Sequence, residues 1–121
     1  MNKPFLFLLL WITAFGCYWE NEDTVYQEPE ICDTLAVSFT EDIIPILSNH
    51  CYNCHSNLNA PDFTNGIAFE DYENVAASGN LIVGAINRLE GFPKMPKGAD
   101  KLDTCLINTI EAWVNQGSRN N

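Results

Sequence analysis

The five residues Cys51-Tyr52-Asn53-Cys54-His55 constrain this chain more than any other feature. Thiols three positions apart lie on the same side of one helical turn, and an imidazole follows the second thiol directly. Whatever the fold, it has to present two sulfurs and a nitrogen donor on one face. A redox dithiol of the thioredoxin kind would sit at a helix start after a strand, inside a βαβ unit. Here the motif ends an apolar helical run, and no βαβ pattern surrounds it. A structural zinc site needs four ligands, commonly with a second Cys or His pair at close spacing. The remaining candidates, His50, Cys32 and Cys105, are poorly arranged for that.

The spacing Cys-x-x-Cys-His is the attachment signature of c-type haem. Each thiol has to reach one vinyl group on the porphyrin edge, and the imidazole has to swing beneath the iron. The motif therefore predicts one covalent haem c, held by Cys51 and Cys54, with His55 as an iron ligand. Attachment outside the cytoplasm requires export, and the start of the chain carries an independent signal for it. Lys3 precedes a short apolar run, Phe5 to Ile12, that ends at Ala14-Phe15-Gly16-Cys17. That run is shorter than the roughly 20 residues needed to span a bilayer and has the anatomy of a signal peptide.

Gly16 directly before Cys17 resembles a bacterial lipobox, which implies cleavage before Cys17 and lipidation of its thiol. The alternative is an ordinary secreted protein whose signal ends near a cysteine. Residues 1–16 are thus read as a lipoprotein-type signal peptide, and their removal moves the net charge from -10 to -11. Residues 17–31 read as a tether, because Glu20, Glu22, Asp23, Glu28 and Glu30 stand there without a basic residue. Such a stretch has too little apolar surface to fold alone. The acidity also excludes nucleic acid as a partner, since phosphate contacts need Lys and Arg.

Five cysteines is an odd number that an exported protein has to account for. With Cys17 lipidated and Cys51 and Cys54 on haem, Cys32 and Cys105 remain as a pair. An oxidising compartment lets that pair close as a disulfide, contributing about 3–4 kcal/mol across so long a loop. Two separate free thiols are the other possibility.

From residue 32 to residue 121 the pattern is that of a single all-α domain. Phe39, Ile43, Ile44 and Leu47 fall on one helical face. Ser38 with Glu41 can form a capping box, and Thr40 or Asp42 can also cap. Pro45 is tolerated only in a first turn, so the regular helix is expected to start near Thr40 to Asp42 and run into Cys51. Residues 56–69 read as a loop, on Asn57, Asn59, Pro61, Asp62, Asn65 and Gly66. Two short helices are expected at about 70–78 and 80–89, split by Gly79, the second with an apolar face of Leu81, Ile82, Ala85, Ile86 and Leu89. A last helix is capped by Asp103, buries Leu106, Ile110, Trp113 and Val114, and stops at Gly117.

The segment Gly91-Phe92-Pro93-Lys94-Met95-Pro96-Lys97-Gly98 cannot be regular helix or strand, because prolines flank Met95. Met1 leaves with the signal, so Met95 is the one methionine of the mature chain. Its thioether is a candidate second axial ligand, and His/Met ligation raises the reduction potential of a haem. His50 is the other candidate, one residue before the motif on the proximal side; an open or Lys-ligated site and a core-filling Met95 are the remaining readings. Arg88, Lys94, Lys97 and Lys101 bracket Met95 within fourteen positions. This basic rim on an acidic protein suits the docking of a redox partner, and it suits equally the neutralisation of haem propionates or the solvation of a loop.

Taken together, Phe39-Thr40-Glu41-Asp42-Ile43-Ile44-Pro45-Ile46-Leu47, the Cys51 to His55 motif, Met95-Pro96-Lys97-Gly98 and the ending Leu102 to Gly117 resemble the small monohaem cytochrome c domains of bacterial envelope lipoproteins. The resemblance covers about residues 32–121. It implies a class I cytochrome c-like fold, in which first and last helices cross and short helices and long loops surround one haem. It also implies thioether attachment at Cys51 and Cys54, with His55 as proximal and Met95 as distal ligand. The expected role is a non-enzymatic, membrane-tethered electron carrier of the cell envelope. The alternatives are a haem-based gas sensor with an exchangeable sixth site and an accessory subunit of a larger redox enzyme.

Overall fold

The computed structural model describes residues 32–121, and among them there are helices and connecting chain but no strand. The expected signal peptide, the tether and Cys17 lie outside the described residues. The chain winds first through a wide π turn, Phe39–Ile43, which leads directly into α1, Ile44–His50. It continues through α2, Tyr52–His55, α3, Ala60–Phe63, and the long α4, Tyr72–Ile86, to α5, Thr104–Asn115. Among the described residues no helix is long and apolar enough to cross a membrane.

The start of the first helix follows from its caps. Ser38 accepts at Oγ from the Glu41 N–H at 3.2 Å, and the Asp42 carboxylate returns to the Ser38 N–H at 2.7 Å. The reciprocal arrangement is that of a capping box, but Asp42 closes it where Glu41 was expected. Pro45 has no N–H to continue the ladder, and ahead of it the winding opens so that Ile43 N–H reaches Ser38 O at 3.2 Å. The helix thereby begins at Phe39, one residue before the expected range.

Two other expectations are corrected. Gly79 does not divide the middle of the chain; α4 runs unbroken through it. A Cβ at Gly79 would lie 3.0 Å from Val114 Cγ2, so the missing side chain lets α4 approach α5 closely. That contact outweighs the cost of about 1 kcal/mol of a helical glycine. The segment 56–69 is also not all loop, since Ala60–Phe63 forms one helical turn with Pro61 in its first positions.

The core joins the first and last helices. Phe39 lies between Trp113, with ring centroids 5.4 Å apart, and Tyr72, edge-on at 5.2 Å. Around them pack Ile43, Leu47, Val75, Ile82, Ile86, Leu102, Ile107 and Ile110, all buried. Asp103 caps α5 by accepting from the Cys105 N–H at 2.8 Å. The buried stripe of α5 is Ile107, Ile110 and Trp113, whereas Leu106 and Val114 are only partly covered.

The two ends of the domain are stitched together. Gln116 donates to Thr34 O at 2.8 Å and accepts from Val37 N–H at 3.2 Å. Asn121 O accepts from Thr40 N–H at 3.0 Å, and Asn121 Oδ1 accepts from Phe39 N–H at 3.0 Å. The same tail satisfies the polar tips of the core aromatics: Trp113 Nε1 donates to Arg119 O and the Tyr72 hydroxyl to Ser118 O.

Cys32 and Cys105 form a disulfide across 73 positions, with Cα atoms 5.4 Å apart. Replacing both by alanine is expected to lower stability by about 3–4 kcal/mol, read as a shifted midpoint in denaturant titration of the oxidised protein.

Candidate functional site

The motif sits where the first helix ends. Cys51 N–H still donates to Leu47 O at 2.8 Å, but the backbone of Cys51 turns to φ -121° and the axis breaks there. Cys51 O then accepts from the Cys54 N–H at 3.1 Å and the His55 N–H at 2.9 Å, which starts the separate turn α2. The motif thus makes its own helical turn after α1 instead of closing it. Cys51 and Cys54 are both half-buried free thiols. Burial pushes the Cys51 thiol up to about 11, the opposite of the lowered value a thiol–disulfide nucleophile needs.

The His55 ring is fixed from two sides. Its Nδ1 lies 2.8 Å from Ile67 O. A carbonyl can only accept, so Nδ1 carries the proton and the Nε2 lone pair is left available as a ligand. The ring stacks on buried Phe69, with centroids 4.4 Å apart and planes 12° from parallel. Phe69 N–H in turn donates to His55 O at 2.7 Å. Ile67 and Phe69 escaped the sequence reading, which saw only turn chemistry in this stretch. The apolar trio Ile67-Ala68-Phe69 among Asn, Gly and Asp was the available signal.

Met95 is half-buried on the loop after α4, and its N–H donates to Ala85 O at 3.1 Å. The loop is pressed close to the helix. A Cβ on Gly84 would lie 2.5 Å from the ring of Phe92. Gly84→Ala is therefore expected to push Phe92 and the Met95 segment away, at a cost of about 1–3 kcal/mol, read as a lower melting temperature. Arg88 donates from Nη2 to Ala99 O at 2.7 Å, while Lys94, Lys97 and Lys101 are exposed. His50 is exposed at the end of α1.

Three observations test what this constellation can hold. Among the described residues no group of three or more His, Cys, Asp or Glu side chains is placed to bind a metal ion, so the four protein ligands of structural zinc are lacking there. Among the same residues, the exposed large apolar side chains are Leu35, Leu58, Phe63, Ile67, Leu81 and Leu89. All but Leu35 fall in two segments, one following His55 and one preceding Met95. Leu81 and Leu89 thus leave the expected buried face, which consists of Ile82, Ala85 and Ile86. Finally, Arg88 Nε is buried without a hydrogen-bond partner. Two thiols and one oriented imidazole on one turn, and a thioether on a separate loop, are the donors these residues offer, each with uncovered apolar side chains nearby in the chain. Comparison with protein-family models, with curated proteins and with solved structures returns no match.

Proposed function

We propose that the chain is a monohaem c-type cytochrome that carries single electrons in the bacterial cell envelope. The observation that carries this reading is the His55 ring, its Nδ1 engaged by the Ile67 carbonyl and its Nε2 left as a donor, one turn from two free thiols. Haem supplies the one-electron chemistry; the protein's part is to attach, orient and cover it. Cys51 and Cys54 are the thioether donors, each thiol adding S and H across one vinyl double bond without net oxidation. His55 is the proximal ligand and Met95 the distal one, a pair that favours the reduced iron relative to most alternatives.

The packing of the first helix on the last, through Phe39 and Trp113, supports a class I cytochrome c-like arrangement. The Cys32–Cys105 disulfide supports an oxidising compartment, and a lipid on Cys17 of the lipobox-like Gly16-Cys17 supplies the membrane tether. The exposed Lys94, Lys97 and Lys101 form the surface on which an acidic redox partner docks.

The test is optical. Membrane-extracted protein is expected to show the reduced spectrum of haem c, the long-wavelength band of Met–iron ligation when oxidised, and a reversible one-electron titration. Ready binding of carbon monoxide by the reduced protein, without that band, would favour the gas-sensor reading instead.

A further inference from the structure

The segment that holds the His55 ring is built around one tight turn. Ile67 N–H donates to Thr64 O at 3.3 Å, and the two residues between them, Asn65 and Gly66, stand at φ 55° and 85°. Positive φ at both central positions is the type I′ turn that Asn-Gly favours. The turn folds Thr64 back over Ile67, so that Thr64 Oγ1 lies 2.8 Å from Ile67 O. Thr64 Oγ1 also lies 3.0 Å from Ala60 O. A hydroxyl has one proton to donate, and the two carbonyls compete for it unequally. Ala60 O already accepts from Thr64 N–H and Gly66 N–H, each at 2.9 Å, which fills both of its lone pairs. Among the described residues the other donor to Ile67 O is His55 Nδ1, at 2.8 Å. The hydroxyl proton therefore goes to Ile67 O, across the shorter distance.

We propose that Thr64 sets how strongly the His55 imidazole donates to a bound iron, by placing a second proton on the carbonyl that orients the ring. This rests on the haem reading above. A hydrogen bond from Nδ1–H to an acceptor raises the basicity of a ligating imidazole, and with it the donor strength of Nε2. An oxygen shared by two donors has less electron density to offer each of them. The Nδ1–H bond is therefore weaker than an unshared carbonyl would make it. The imidazole stays a less basic ligand, which favours reduced over oxidised iron. Phe69 supplies a different constraint, since its stacked ring fixes the plane of the imidazole and accepts nothing from Nδ1. Thr64 acts through Ile67 O and is a positioning residue of the site.

Thr64→Ser and Thr64→Ala test the assignment in the full-length, haem-loaded protein, because the two variants differ by the hydroxyl alone. Both are expected to retain covalent haem and native helix content. In Thr64→Ala the unshared Ile67 carbonyl binds Nδ1–H more tightly, so the Nδ1 proton of the reduced, diamagnetic protein should move to lower field in NMR spectra. The equilibrium constant for reduction should fall roughly two- to tenfold, the span of one net hydrogen bond. That lowers the midpoint potential by up to about 59 mV for one electron. Thr64→Ser should keep both values near those of the unaltered protein. An unmoved Nδ1 proton in Thr64→Ala, or an unchanged or raised potential, would overturn the inference. Equal shifts in the two variants would overturn it as well, since the lost methyl group and not the hydroxyl would then be responsible. Absence of covalent haem from the unaltered protein would overturn the haem reading, and this inference with it.

Discussion

A Cys51→Ala/Cys54→Ala chain is expected to carry no covalent haem and to show little native helix and no cooperative melting transition. The physical reason is the size of the core. The domain of residues 32–121 buries one apolar stripe per helix, and chains of this length are marginal without further support. Five apolar side chains, among them Leu58 at 85% and Phe63 at 69% exposure, stand uncovered in the two segments that follow His55 and precede Met95. Covering roughly half of each contributes on the order of 5 kcal/mol. Net stabilities are only about 5–15 kcal/mol, so that term alone separates a folded domain from a largely unfolded one. Circular dichroism with thermal melting checks this, and native helix content with a sharp transition would contradict it.

The second large effect is expected at Met95. Met95→Ala removes the thioether while leaving both thiols and His55 in place. Covalent haem should persist, the Met–iron band should vanish, and the reduced protein should bind carbon monoxide readily. The midpoint potential should fall by on the order of 0.1 V or more, within the roughly 0.8 V that axial ligands control. Redox titration of the purified variant reads the shift. An unchanged potential would remove Met95 from the iron and return it to core filling.

How much of this was legible in the sequence depends on the range of the interactions. Ser38 and Asp103 act as caps because their side chains reach backbone groups two or three residues away, and such chemistry is visible locally. The spacing of Cys51, Cys54 and His55 on one helical turn is legible for the same reason. Gly79 misled because its effect is nonlocal: it ends nothing, and instead admits Val114 of another helix. The orientation of His55 depends on a carbonyl twelve positions away, in a turn marked in the sequence only by the apolar trio Ile67-Ala68-Phe69. Leu81 and Leu89 read as core by periodicity, yet they remain outside. Periodicity reports which residues need covering, and a cofactor can cover them as well as a helix does. Arg88 was legible as a charge but not as a left-handed helix stop, since glycine is the residue that normally signals that position.

The most direct test of the account is the intact mass of the exported protein after acidic extraction of non-covalent haem. The mass is expected to exceed that of the processed, lipidated polypeptide by one haem, carried by the peptide containing Cys51 and Cys54. A processed chain without that added mass, with both thiols of Cys51 and Cys54 open to alkylation, would contradict it.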